Sequence, residues 1–224
     1  MKWLGYPTTL ALILAVTALR AEQTPDPDPS RFAESIAQFA RADQLHPSEK
    51  GGIVFVGSSS IRRLDLQAVF PGLVALNRGF GGSHISDVNY HIENTVLKYE
   101  PRLTVLYCGS NDLWSGKPAF QVLEDFLEFK SRLFERLPKS KLIVLASRPS
   151  PKRHSGVERE LAFNYLLRIE ASRDPRITFL KGSSDRFFNN KGEYRTELFH
   201  QDRLHMSNAG YRVWKEILTP FLAD

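Results

Sequence analysis

The chain has 224 residues, of which 42% are hydrophobic and 25% charged, and these values are typical of one globular domain with a full core. The formal net charge of +5 is modest, and no dense basic run with interleaved aromatic residues occurs, so nucleic acid is not an expected partner. The single cysteine, Cys108, excludes an intrachain disulfide and is expected as a buried core thiol.

The first 21 residues have the pattern of an export signal. Lys2 supplies a positive charge, residues 8–18 are apolar, and small residues follow, so cleavage is expected after Ala18 or Ala21. The apolar run is shorter than the roughly 20 residues of a membrane-spanning helix, which favours a cleaved signal over an anchor. We therefore expect a periplasmic or extracellular protein, with no stable membrane insertion after cleavage.

The rest of the chain alternates between predicted strands and helices. Residues 22–30 are acidic and proline-rich and are interpreted as a linker, and residues 31–224 are interpreted as one domain. The alternation predicts an α/β fold, a three-layer α/β/α sandwich around a parallel sheet. Strands are predicted at 53–56, 73–76, 103–108, 142–146 and 177–180, and helices at 30–43, 85–99, 120–137, 157–172 and 208–222.

Polar or glycine residues follow three of these strands, and in parallel sheets sites form beyond the carboxyl ends of strands. Ser59 follows the first strand, Gly82 ends a glycine cluster after the second, and Asn111 follows the third. A serine hydroxyl is a candidate nucleophile, and the glycine N–H and asparagine amide are neutral donors suited to an oxyanion. The alternatives are a serine helix cap, an ordinary glycine turn and an Asx turn.

Asp202 and His205 stand three residues apart, just before the last predicted helix. This spacing allows the carboxylate to reach Nδ1 of the imidazole while Nε2 faces outward, which is the arrangement of a base and its orienting acid. A surface pair is the alternative interpretation. Together with Ser59 these residues provide the parts of serine acyl transfer, which requires no metal or organic cofactor.

Four blocks of the chain resemble, in family order, those of the SGNH hydrolase superfamily, also called GDSL-type esterases and lipases. The resemblance implies a flavodoxin-like fold with a five-stranded parallel sheet and Ser59 as nucleophile. It also implies Asp202 and His205 as the rest of a triad, and Gly82 and Asn111 as oxyanion donors beside the Ser59 N–H. The blocks are VGSS at 56–59, NRGFGG at 77–82, GSND at 109–112 and DRLH at 202–205.

One position departs from the family pattern. Ser58 stands where the family has aspartate between the glycine and the nucleophile. An aspartate there would mainly shape the turn and its hydrogen bonds, and a serine hydroxyl can do part of this. Because the departure affects the register of the block, Ser60 is an alternative nucleophile to Ser59.

The expected function is therefore that of a secreted serine esterase. Short predicted loops without a large apolar lid favour small or polar acyl esters, such as acetylated carbohydrates, with lysophospholipids as a further possibility. The expected partner is a small-molecule or glycan ester, and the sequence carries no signal for an oligomeric state. The alternatives are a non-catalytic glycan-binding protein of the same fold, or a zinc hydrolase using His200, Asp202 and His205.

Other residues near these blocks receive no catalytic role. His84 and His154 are expected in exposed loops, and Trp114 either lines the cleft or packs. Arg62 and Arg63 are interpreted as the start of a helix that follows the first strand, and either is a candidate to pair with a nearby carboxylate.

Overall fold

A computed structural model describes residues 23–222, so the predicted signal, residues 1–21, lies outside the described residues. At its centre is one sheet with strand order β2-β1-β3-β4-β5, in which every pairing is parallel. The predicted three-layer sandwich with a flavodoxin-like five-stranded sheet is thereby confirmed. The strands are β1 (Ile53–Gly57), β2 (Ala75–Gly79), β3 (Leu103–Tyr107), β4 (Lys141–Leu145) and β5 (Ile177–Leu180).

Alternate residues of β1 point to opposite faces of the sheet, and each face carries its own hydrophobic core. Val54 belongs to the core that contains Phe129, and Phe55 belongs to the core that contains Trp214. Helices cover both cores, which is why the strands are apolar on both faces. The α-helices are Ala33–Leu45, Ser59–Arg62, Leu66–Val69, Ile85–Tyr90, Ile92–Thr95, Ser110–Trp114, Ala119–Arg136, Val157–Ala171, Gly182–Asp185 and Asn208–Leu222, and the 3₁₀ helices are Pro29–Phe32, Leu97–Tyr99, Pro151–Gly156 and Thr196–Leu198.

The single helix predicted at 85–99 is wrong, because this segment forms three short helices. The backbone leaves helical angles at His91 (ψ 9°) and again at Val96 (φ −132°). The His91 ring makes a hydrogen bond with the Pro29 carbonyl at 3.0 Å, which ties the break to the N-terminal segment. The apolar spacing identified the buried face correctly, but periodicity does not report whether a helix is continuous.

The second strand starts two residues and ends three residues further along the chain than predicted. Val74, placed in the strand by its hydrophobicity, is 87% exposed. The strand instead includes Asn77, whose amide donates to the Ile61 and Leu64 carbonyls, and the buried Arg78, which binds Asp43. Because β2 is an edge strand, its polar side chains can bond to groups outside the sheet. A prediction that looks for runs of apolar residues misses such a strand.

The described part of the predicted linker, residues 23–30, packs along the domain. Thr24 and Gln121 exchange two hydrogen bonds, from Thr24 N to Oε1 at 3.0 Å and from Nε2 to Thr24 O at 2.7 Å. Asp26 accepts a hydrogen bond from Ser86 Oγ at 2.6 Å and forms an ion pair with the buried Lys117. Along residues 23–222, no helix combines the length and the hydropathy needed to traverse a bilayer.

Candidate active site

The turn after β1 presents Ser59 at the carboxyl edge of the sheet. Gly57 ends the strand with φ +133°, and a Cβ at this position would lie 2.0 Å from the Tyr107 carbonyl oxygen. Only glycine therefore allows the close approach that lets the Ser58 N–H donate to Tyr107 O at 3.0 Å. Ser58 precedes the helix Ser59–Arg62 without making a side-chain capping bond, so the helix-cap interpretation of the serines is not supported.

A tight loop carries Asp202 and His205. His200 N–H donates to His205 O at 2.7 Å, and an antiparallel bridge between Phe199 and Met206 closes the base of the loop. Inside it, Arg203 has φ +57°, a left-handed conformation that is costly for a residue with a side chain. Backbone strain of this kind persists only where surrounding contacts hold it. Here the Arg203 N–H donates to His200 O at 2.9 Å, and Arg203 O accepts from the Lys152 N–H at 3.0 Å.

The structure brings Ser59, His205 and Asp202 into one hydrogen-bonded row. His205 Nδ1 lies 2.6 Å from Asp202 Oδ2, and His205 Nε2 lies 3.0 Å from Ser59 Oγ. The second serine considered, Ser60, is buried, and its carbonyl accepts a hydrogen bond from the Tyr211 hydroxyl. Ser59 is therefore the serine whose hydroxyl can pass a proton to the imidazole.

Backbone N–H groups hold the Asp202 carboxylate in the position from which it binds the imidazole. Oδ1 accepts the N–H groups of Leu204 and His205, each at 2.9 Å. Burial raises the pKa of this carboxyl, but the hydrogen bonds from the His205 ring and from these N–H groups outweigh burial and hold the pKa well below its usual range. Asp202 is consequently ionised at neutral pH and can stabilise an imidazolium.

Two backbone donors at this edge of the sheet have no partner. Within residues 23–222, the N–H groups of Ser59 and Gly82 donate to no protein atom. Gly82 has φ +90°, and a Cβ there would meet nothing within 4 Å. Glycine is therefore required by the backbone conformation and not by a lack of space for a side chain. Both groups are free to donate to an oxyanion at the serine.

Hydrogen bonds also fix the orientation of the Asn111 amide. Its Oδ1 accepts from Arg153 Nη1 at 2.9 Å, and its Nδ2 donates to Ser83 O at 3.0 Å. An amide nitrogen has two hydrogens, so one donor remains for a third partner. The Asx-turn alternative for Asn111 is not what these bonds show, since both partners lie far away in sequence.

A cavity of about 270 Å³ opens at this edge of the sheet. A larger cavity of about 750 Å³ lies beside the amino ends of β1 and β2, and none of the predicted site residues lines it. The smaller cavity is therefore the candidate active site. Its lining includes four of the predicted site residues and three arginines: Ser59, Gly82, Asn111 and His205, with Arg62, Arg148 and Arg153.

The sequence model of the GDSL-like Lipase/Acylhydrolase family matches residues 60–213, more than half of the chain. The chain belongs to this family. As a GDSL-like acylhydrolase it is an ester-cleaving hydrolase. The matched region begins one residue after Ser59 and includes the other four predicted site residues. A search of curated proteins found no match.

Solved structures resemble this GDSL-like acylhydrolase in fold. A protein from Streptococcus pneumonia, provisionally described as a platelet activating factor, is 21% identical, with a TM-score of 0.75 over 97% of this chain and 100% of that one. A GDSL-like lipase from Bacteroides thetaiotaomicron is 16% identical, with a TM-score of 0.67 over 87% and 97%. A catalytic mutant of an acetylxylan esterase from Geobacillus stearothermophilus is 18% identical, with a TM-score of 0.59 over 79% and 96%.

A buried polar cluster behind the acylhydrolase site was not found from the sequence. His84, expected in an exposed loop, is buried, and burial together with the charge of Lys117 lowers its pKa to about 4. Burial raises the pKa of Asp112 to about 7, and its carboxylate accepts the Ile85 N–H at 3.0 Å. The side chain of Lys117 is fully buried beside Asp112, at 3.7 Å. The one signal for this cluster in the sequence is Lys117, which closely follows the GSND block at 109–112.

The remaining candidate residues have varied outcomes. Cys108 is buried as expected, and burial raises the pKa of its thiol. His154 is exposed, as expected for a solvated loop, with Nδ1 3.1 Å from the Tyr194 hydroxyl. Trp114 is 44% exposed and stacks near the Arg153 guanidinium. Arg62 and Arg63 have no ion pair with a carboxylate of residues 23–222, so the pairing expected for one of them is not seen.

The zinc alternative finds no support in the geometry. Across residues 23–222, no three His, Cys, Asp or Glu side chains form a group that could hold a metal ion. His200, Asp202 and His205 therefore do not form a ligand set, and Asp202 is instead bound to the His205 ring and backbone.

Proposed function

We propose that this protein is an exported serine esterase that cleaves small or polar acyl esters through Ser59, His205 and Asp202. The observation that carries the proposal is the row of contacts from Asp202 Oδ2 through the imidazole to Ser59 Oγ, at 2.6 and 3.0 Å, beside unpaired N–H donors. Family membership alone gives an ester-cleaving hydrolase, and this geometry supports the residues and the mechanism that we propose.

In the proposed reaction, His205 Nε2 removes the proton from Ser59 Oγ as the oxygen attacks the ester carbonyl. The N–H groups of Ser59 and Gly82 and the free Asn111 amide hydrogen donate to the resulting oxyanion. Collapse breaks the bond to the alcohol, which takes the proton from His205 and leaves an acyl group on Ser59. Water, deprotonated by the same imidazole, then releases the acid and restores the serine.

The size of the cavity supports small acyl groups. The cavity of about 270 Å³ lies below the roughly 300–1,000 Å³ of sites that enclose drug-sized ligands. An acetyl group fits such a space, and an acetylxylan esterase is among the proteins of similar fold. Acetylated carbohydrates are therefore the proposed substrates, with lysophospholipids as the second class. Export follows from the predicted signal at residues 1–21, and N-terminal sequencing of the mature protein would test it.

Replacing Ser59 tests the proposal directly. We expect Ser59→Ala to abolish nearly all hydrolysis of 4-nitrophenyl acetate while the far-UV circular dichroism spectrum is unchanged. Ser60→Ala is the matched control, because this neighbouring serine makes no contact with the imidazole and its carbonyl bond to Tyr211 survives the change. Full activity in Ser59→Ala would exclude the proposed mechanism.

A further inference from the structure

Positive charge surrounds the cavity that contains Ser59. Arg62, Arg148 and Arg153 line it, and no Asp or Glu of the described residues does. None of the three arginines forms an ion pair with a carboxylate between residues 23 and 222. In a narrow cleft, charges of one sign focus the field and attract a ligand of the opposite sign. In the esterase mechanism none of these three guanidinium groups contacts the substrate, although Arg153 holds the Asn111 amide in place.

Arg62 is placed over the glycine cluster with its donors unused. It ends the helix that begins at Ser59, and a Cβ on Gly81 would lie 2.7 Å from Arg62 Cζ. The absence of a side chain at Gly81 thus gives the guanidinium its position next to Gly82. Among residues 23–222 its side chain makes no hydrogen bond, so all its N–H donors remain unused in a residue that lines the cavity.

Arg153 is held on the other side by two bonds through one nitrogen. Its Nη1 donates to Asn111 Oδ1 at 2.9 Å and to Ser110 O at 3.3 Å, while the guanidinium lies 5.4 Å from the Trp114 ring. No partner in the described chain accepts from Nε or Nη2. A fixed guanidinium with an open pair of donors is suited to bidentate binding of a carboxylate or phosphate.

Arg148 adds a buried charge behind them. It is 3% exposed and packs on the rings of Phe187 and Phe199, at 4.7 and 5.0 Å. Its Nε and Nη1 are buried without a hydrogen-bond partner in the described residues, and unmet donors of a buried cation are costly. Its Nη2 donates to Leu204 O at 3.3 Å, in the loop that carries the triad.

Besides Asp202, one further carboxylate lies close to this charge. Glu160 is buried, accepts hydrogen bonds from Ser147 Oγ at 2.8 Å and Ser110 Oγ at 3.2 Å, and attracts both Arg148 and Arg153. It does not line the cavity. Glu160 and the Asp202 that is bound to His205 are two carboxylates against three guanidinium groups, which leaves the cleft with a net positive charge.

We propose that the alcohol part of the natural ester carries a carboxylate or a phosphate, which Arg62 and Arg153 bind while Arg148 strengthens the field from behind. This inference rests on the serine-esterase function proposed above. The small acyl group of that proposal has no charge of its own, so the anion belongs to the alcohol. The arginines then determine specificity by selecting anionic over neutral esters.

The test compares an anionic ester with its neutral counterpart. The ratio of kcat/KM for 4-acetoxybenzoate to that for methyl 4-acetoxybenzoate is measured in the wild type, Arg62→Gln and Arg153→Gln. We expect this ratio to fall about 10-fold or more in each variant, the loss typical of one charged hydrogen-bonding contact. Because each ratio is taken within one protein, changes in nucleophile reactivity or folded fraction cancel. Arg63→Gln is the matched control, since this exposed neighbour does not line the cavity, and its ratio should equal that of the wild type.

Two further arms sharpen the result. 4-Acetoxyphenyl phosphate shows whether a phosphate is selected over a carboxylate. Raising NaCl from 0.05 to 0.5 M should lower the wild-type preference for either anion, since salt screens exposed charges.

An unchanged ratio in both arginine variants would overturn the anion proposal, and if Ser59→Ala still abolished both hydrolyses, the esterase function would stand. Retained hydrolysis in Ser59→Ala would instead remove the esterase function. If neither ester is cleaved, fluorophosphonate labelling in the presence of benzoate or inorganic phosphate decides. Protection of the wild type that is lost in Arg62→Gln supports the proposal, and equal labelling in the two proteins refutes it.

Discussion

Replacing Asn111 with alanine examines how the site stabilises negative charge. The Asn111 amide is pinned by Arg153 and by the Ser83 carbonyl, which leaves one hydrogen to donate beside the unpaired Ser59 and Gly82 N–H groups. Loss of one of three oxyanion donors typically costs about 2.7–4 kcal/mol, or about 10²–10³-fold in kcat. Because that donor acts chiefly in the transition state, we expect kcat and kcat/KM to fall together.

The same substitution has a structural cost that must be separated from the catalytic one. It removes a bond from a charged guanidinium, worth about 1.5–3 kcal/mol, and a neutral bond worth about 1 kcal/mol. Part of this is retained, because Arg153 Nη1 still donates to Ser110 O and Ser83 O still accepts from Cys108 Sγ. We therefore expect Asn111→Ala to lose about 2–3 kcal/mol of unfolding free energy.

The assay is steady-state hydrolysis of 4-nitrophenyl acetate at a temperature where urea denaturation shows each variant to be folded. Asn89→Ala is the matched control: Asn89 is buried and donates to Asp125 O at 2.9 Å, away from the cavity lining. It should lose stability but keep the wild-type kcat. A kcat for Asn111→Ala within about twofold of the wild type would refute the assignment of Asn111 to the oxyanion site.

Two further predictions concern protons. In Asp202→Asn, Oδ1 can still accept the Leu204 and His205 N–H groups, so the amide N–H₂ faces His205 Nδ1 and forces the imidazole into the wrong tautomer. We expect kcat to fall by up to about 10⁴-fold. A fall of less than tenfold would contradict the role of Asp202. The pKa of His84 is about 4 in the folded protein, below its ordinary 6.5. Between these two pH values the unfolded chain binds a proton at His84 and the folded protein does not, so the free energy of unfolding decreases as pH falls from 6.5 towards 4. In His84→Asn, the unfolding free energy relative to the wild type should therefore rise by about 2–3 kcal/mol between pH 7 and 4.5, measured by urea denaturation. A difference that does not vary with pH would show that His84 titrates normally.

The parallel sheet was predictable because its strands are short apolar runs buried on both faces. The exception was β2, where Asn77 and Arg78 continue the ladder and meet their partners only in three dimensions. The prediction of one continuous helix at 85–99 was wrong for a related reason. Ile85, Val88, Ile92 and Val96 are all buried, as the period requires. The helix is nevertheless interrupted at His91, where ψ is 9° and the ring bonds to the distant Pro29 carbonyl.

The predicted site residues were accessible to sequence reasoning because each stands in a local motif. Ser59, Gly82 and Asn111 follow strands that meet at one edge, and the three-residue spacing of Asp202 and His205 allows their contact. Arg148 and Arg153 carry no such signal, because they lie in the segment after β4, whose sequence is typical of a solvated loop. Their position in the cavity depends on aromatic packing and on Asn111, which only the folded chain shows.

The identity of the nucleophile is tested most directly by mapping a covalent adduct. The protein is treated with a fluorophosphonate, digested and analysed by tandem mass spectrometry. Ser59 is the serine whose Oγ lies 3.0 Å from His205 Nε2, so one phosphonyl group is expected on this residue. The adduct should be absent from Ser59→Ala and present in Ser60→Ala. An adduct on Ser60 or on any other residue, or labelling of Ser59→Ala at the wild-type rate, would contradict the account.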